Sequence, residues 1–105
     1  MIVPTARDHF VAAVDAINHF YGRPDIPIGL SVVPETVGSD DSNPTLADTD
    51  QFPSEKTNDT VPDSTVLYRE LLHNAPRKVT IAVVGFQSPI SEFLESSAVA
   101  QETLA

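Results

Sequence analysis

Residues 78–84 read Lys-Val-Thr-Ile-Ala-Val-Val, and no other stretch constrains the fold as tightly. β-Branched residues dominate it, and apolar side chains fall at both parities. A strand with one wet face alternates apolar and polar, so this pattern predicts a strand covered on both sides, as in a parallel sheet. Gly85 ends it. A second, shorter apolar run, Ile26–Val33 (Ile-Pro-Ile-Gly-Leu-Ser-Val-Val), predicts another strand. Pro27 lacks an amide N–H and belongs at that strand's start or on an edge. Two parallel strands do not make a stable sheet by themselves. The expectation is therefore a slice of a larger α/β domain.

The helices follow from spacing and punctuation. Ala6, Phe10, Ala13, Val14, Ile17 and Phe20/Tyr21 form one stripe at a 3.6-residue period, predicting a helix over 5–21. Thr5 is placed to cap it, Asp8 lies in its first turn, Gly22 is suited to its C-terminal turn and Pro24 blocks continuation. Pro62, Asp63 and Ser64 open a second helix over about 64–74, with Val66, Leu67, Leu71 and Leu72 as its apolar positions and Pro76 beyond its end. Ser88 as cap and Pro89 as first helical residue start a third, with Ile90, Phe93 and Leu94 on one side. Residues 34–61 show no sustained period and are rich in Pro, Ser, Thr, Asn and Asp, with at most a helical turn around Thr45–Phe52. A stretch of that length is functional or disordered. The expected order is α–β–loop–α–β–α, a single partial domain over 1–105 with an acidic loop at 34–62.

The formal net charge is −9, and its distribution matters more than its size. Eight acids lie between Glu35 and Asp63 against Lys56 alone. A phosphate backbone is repelled by such a surface, so nucleic acid is not an expected partner. No apolar run approaches the ~18 residues that span a bilayer, and residues 1–10 lack the pattern of a secretory signal. No membrane partner is expected, and the cytoplasm is the default compartment. The absence of cysteine excludes disulfides and thiolate metal sites. Asn58-Asp59-Thr60 matches the glycosylation sequon and is read as a chance match.

Three stretches together resemble the inosine–uridine-preferring nucleoside hydrolase family. "AINHFYGRPDIPIGL" (16–30) is similar to the family's alanine-rich helix followed by a strand carrying Ile-Pro-Val/Ile-Gly. "TVLYRELLHNAPRKVTIAVVG" (65–85) is similar to its helix with a Tyr-Arg pair, a short turn and a Val-Thr-Ile strand. "GFQSPISEFLES" (85–96) is similar to its strand-exit turn and following helix, although Pro89 stands where the family has Asn. The resemblance covers most of residues 5–97 and is weakest through the acidic loop. It implies a Rossmann-like parallel sheet and hydrolysis of the N-glycosidic bond of ribonucleosides. It also implies a calcium ion, held by an aspartate cluster of the form Asp-Thr-Asp-x-Gly-x-Asp-Asp. Calcium takes six to eight oxygen ligands, so several carboxylates must converge. It then orients the ribose and the attacking water, which an aspartate deprotonates. The bond breaks through an oxocarbenium-like transition state.

That motif does not occur in this sequence. The expectation is that the chain starts beyond it and stops before the family's later aspartate and histidine. The one position carried over is Val84, whose backbone carbonyl corresponds to a calcium ligand of the family. No catalytic residue is assigned, calcium is not expected to be held by this chain, and turnover of nucleosides is not expected. Asp48-Thr49-Asp50 lacks a preceding strand and the Gly-x-Asp-Asp continuation, so it reads as solvated loop. Ser88 lacks the Gly-x-Ser-x-Gly context of a nucleophile elbow and reads as a helix cap. His9 and His19 are ten apart and do not stack as a metal pair, while His73 suits a helix C-terminus. Tyr68 and Arg69 read as packing and surface residues. The rival reading is a non-catalytic interaction protein using an α/β fragment as scaffold and the acidic 35–63 stretch as its contact surface. Exposed strand edges and apolar faces predict that the chain is marginally stable or self-associates.

Overall fold

A computed structural model describes residues 1–3, 10–31, 48 and 50–96. In chain order they form β1 (Ile2–Val3), α1 (Phe10–Phe20), β2 (Gly29–Leu30), α2 (Ser64–Asn74) and α3 (Ser88–Ser96). β1 and β2 pair in parallel, Ile2 opposite Gly29 and Val3 opposite Leu30, with α1 between them in the chain. The rungs are Gly29 N–H to Met1 O at 3.0 Å and Ser31 N–H to Val3 O at 2.9 Å. On its other edge β2 donates from Leu30 N–H to Pro62 O at 3.0 Å, and Leu30 bridges Asp63 in parallel. The described residues thus form a mixed helix/strand fold with a two-stranded parallel sheet and three helices.

Two features differ from the expected order. β1 was not expected: two residues are too short to show a period, and only pairing with distant residues 29–31 makes them a strand. The opposite holds for 78–84, which are not a strand. No backbone hydrogen bond joins residues 77–86 to any described residue. Val79, Val83 and Val84 are 52%, 44% and 98% exposed. β-Propensity measures how well a residue fits a pleated, half-buried surface; it does not supply the neighbouring strand. The expected strand at 26–33 reduces to Gly29–Leu30 with Pro27 just ahead of it, as its missing N–H requires. Residues 32 and 33 lie outside the described residues.

α1 ends as its punctuation dictates. Gly22 adopts φ 72°, Gly22 N–H donates to His19 O at 3.0 Å and Arg23 N–H to Asn18 O at 2.7 Å. These are the two bonds of a Schellman turn, and the left-handed residue is the one without a Cβ. Thr5, Ala6, Asp8 and His9 lie outside the described residues. The buried face of α1 also differs from the apolar stripe. Val11, Ala12, Ala13, Asp15, Ala16 and Asn18 are buried, whereas Ile17, Phe20 and Tyr21 are 43%, 82% and 74% exposed. The inward face is built of small and polar residues, and the bulkier end of the stripe is left outside. Of the stripe, Ala13 is buried and Phe10 and Val14 pack at the margin of the core of Val3, Val11, Ile28 and Leu30.

α2 begins where the Pro62-Asp63-Ser64 signal placed it. The Asp63 carboxylate accepts from Thr65 N–H at 2.8 Å, and its carbonyl takes Leu67 N–H at 3.0 Å. Leu67 is buried, while Val66 and Leu71 remain half exposed. α3 is capped one residue earlier than expected, because Ser91 N–H donates to Gln87 O at 3.0 Å. Ser88 is then the first helical residue and Pro89 the second, where a missing N–H still costs no helical bond. α3 packs on α2 through Phe93, which is 1% exposed and stacked on Tyr68 with ring centroids 5.3 Å apart. Arg69 donates to Ser96 Oγ at 2.9 Å, and buried Ser31 after β2 donates to Glu92 of α3 at 3.0 Å.

α2 crosses β2 at Gly29. A methyl on Gly29 would lie 2.9 Å from Leu67 Cδ2, 3.0 Å from Leu67 Cβ and 3.1 Å from Ile2 Cδ1. Leu67 Cβ is fixed to its helix, so the helix itself must shift. Gly29→Ala is expected to destabilise by about 1–3 kcal/mol through overpacking. Thermal unfolding checks this, at roughly 4–8 °C per kcal/mol for a domain of this size.

Candidate functional site

Two places concentrate unusual chemistry. The first is polar and buried. Asp15 of α1 is 0% exposed, and its Oδ2 accepts from Glu55 N–H at 2.8 Å and Lys56 N–H at 3.0 Å. Lys56 Nζ stands 3.7 Å from the other oxygen, Oδ1, and donates to Pro24 O at 3.0 Å and Ile26 O at 2.9 Å. His19, one turn along, places Nδ1 2.8 Å from the Asp15 carbonyl and 3.5 Å from Oδ2. This carboxylate latches the 55–56 backbone onto α1, while the lysine holds the turn before β2. Oδ2 is satisfied by two backbone donors, whereas buried Oδ1 accepts no hydrogen bond among the described residues and faces the Lys56 ammonium at ion-pair distance.

The second is an apolar groove of about 440 Å3. Met1 and Ile2 line one part, Tyr68, Leu71 and Leu72 of α2 another, and Val79–Phe86 runs along it to Pro89 and Ile90. Burial at the groove pushes the Tyr68 phenol above its ordinary range. Leu71–Ser91, which supplies most of the wall, contains no acid and carries Arg77 and Lys78. In a chain of net charge −9 this is the longest acid-free run.

Of the residues singled out in the sequence, Tyr68 and Val84 line this same groove. Val84 lies on the exposed segment beside the groove, and its single carbonyl stands far short of the oxygens calcium requires. Among the described residues no group of three or more His, Asp or Glu is placed to hold a metal ion. Asp48 closes a local turn, its carbonyl accepting from Gln51 and Phe52 N–H at 3.1 and 2.8 Å and its carboxylate from Asp50 N–H at 3.0 Å. Thr49 lies outside the described residues. His73 is exposed in the last turn of α2. No described helix is long and apolar enough to cross a membrane.

Sequence reasoning missed Asp15 and Lys56. The signal was present: Asp15 falls among Val11, Ala12 and Ala16, and four residues before His19. A carboxylate in an alanine-lined helix face is costly to bury unless it is bonded, so it points to a partner elsewhere in the chain. No family model, curated protein or solved structure matches the chain.

Proposed function

We propose that this chain is a parallel α/β unit with an open strand-competent segment, nucleoside hydrolase-like in character, that acts by association and not by turnover of nucleosides. The observation carrying this reading is residues 78–84: a strand-competent, largely exposed segment with no backbone partner among the described residues, along a groove that β1 also lines. Unpaired N–H and C=O groups beside an apolar trough recruit a further strand. The family resemblance supplies the hydrolase character, since 65–85 and 85–96 carry it and form the groove's walls.

Two measurements test the reading. Incubated with inosine or uridine and millimolar calcium, the chain is expected to release no ribose. Saturable release would overturn the proposal. Amide exchange in 78–84 is expected to be fast in the dilute monomer and to slow on association. Protection of those amides at every dilution would show the segment already paired within the chain.

A further inference from the structure

The partner of the open segment can be named from its chemistry. We propose that residues 78–84 of one chain pair antiparallel with residues 78–84 of a second copy about a two-fold axis centred on Ile81. This rests on the open-segment reading above and supplies the identity of the missing strand.

Charge permits this partner and selects this direction, and the side-chain pairing favours the partner. The two copies meet through their acid-free run, the longest stretch of the chain where neither brings a carboxylate to repel the other. In a parallel, in-register pair, Lys78 would stand beside Lys78, ~5 Å apart across the strands. In the antiparallel pair, Lys78 faces Val84 of the second copy. The two lysines then lie about six residues apart along the ribbon, roughly 20 Å, well beyond the ~8 Å over which charges act at physiological salt. The side chains match in the same register. Val79 falls opposite Val83, Ile81 opposite Ile81 and Val83 opposite Val79, three pairs of β-branched residues on one face. Such pairs are the stabilising unit of a sheet. Val79 and Val83 are 52% and 44% exposed in the single chain, so both have surface left to bury. A two-fold arrangement also closes, giving a dimer instead of an open filament.

Val84 provides a test that leaves the fold alone, because it is 98% exposed and has no described hydrogen bond. Val84→Glu puts a carboxylate opposite Lys78 of the second copy, twice per dimer; Val84→Lys puts a like charge there. Sedimentation equilibrium of the full chain is expected to show a monomer–dimer equilibrium, about fivefold tighter for Val84→Glu and about fivefold weaker for Val84→Lys at low salt. Both shifts should fade at 1 M salt, and amide exchange at 78–84 should slow with the dimer fraction. A dimer whose 78–84 amides exchange freely, or one weakened alike by both variants, overturns the proposal. So does a monomer throughout the accessible concentrations. If that monomer's 78–84 amides exchange freely, the open-segment reading survives and only the second copy is wrong. If they are protected, both fail.

Discussion

Asp15→Ala is expected to lower stability by about 3–5 kcal/mol, the cost of removing one member of a buried charged cluster. The variant leaves Glu55 and Lys56 N–H, which now donate to Oδ2 at 2.8 and 3.0 Å, with no acceptor. It also leaves the Lys56 ammonium, 3.7 Å from Oδ1, without its counter-charge. A chain of this length has roughly 5–15 kcal/mol in total, so the variant sits near its unfolding midpoint at room temperature if the wild type lies at the low end. Asp15→Asn keeps one acceptor oxygen and loses the charge, and should cost about 1–3 kcal/mol. Urea unfolding followed by circular dichroism ranks the three proteins. An Asp15→Ala midpoint within 2 °C of wild type on heating, where roughly 4–8 °C per kcal/mol applies, would show that the latch contributes little.

Phe93→Ala is the second large effect. The ring is 1% exposed and stacks on Tyr68, with Ser31–Glu92 and Arg69–Ser96 on either side of it. Truncation removes the transfer free energy of the ring and leaves a void, together about 3–5 kcal/mol. It also removes the aromatic pairing with Tyr68, roughly 0.5–1.5 kcal/mol. α3 is expected to detach before α1 and β2 unfold, because Phe93 is its one buried large side chain while the Asp15 latch and the Val3–Val11–Ile28–Leu30 core lie elsewhere. Exchange of the α3 amides should rise ahead of those in α1. Loss of both helices' protection at the same denaturant concentration would refute that order.

What the sequence made legible was local chemistry. Gly22 and Pro24 end a helix because φ 72° suits glycine and proline cannot continue; Asp63 starts one because its carboxylate meets Thr65 N–H two residues on. Such signals need no knowledge of the rest of the fold. The misreadings all concern what sits opposite. The segment 78–84 has the composition of a buried strand, but burial depends on a neighbour that composition does not provide. Ile2–Val3 become a strand solely through Gly29 and Ser31. On α1 the larger side chains Ile17 and Phe20 outweigh the alanines in any periodicity, yet the alanines and Asp15 face inward. There the deciding bonds come from Glu55 and Lys56, far along the chain. The candidate groove was invisible for the same reason, since its walls come from residues 1–2, 68–72 and 79–90. The nucleoside hydrolase resemblance remains a proposal about ancestry and chemistry, carried by residues 16–30 and 65–96.

The Asp15 latch joins points 40 and 41 residues apart. Closing a chain segment of that length already costs most of the entropy it ever will, since each doubling of the span adds only about 0.6 kcal/mol. One carboxylate of α1 and the backbone at 55–56 fix the two ends of this span. Closure entropy alone therefore penalises a longer span between Asp15 and Glu55 by only tenths of a kcal/mol for a handful of added residues. A reporter or affinity peptide grafted into that span should be tolerated where the same graft beside Gly29 would not.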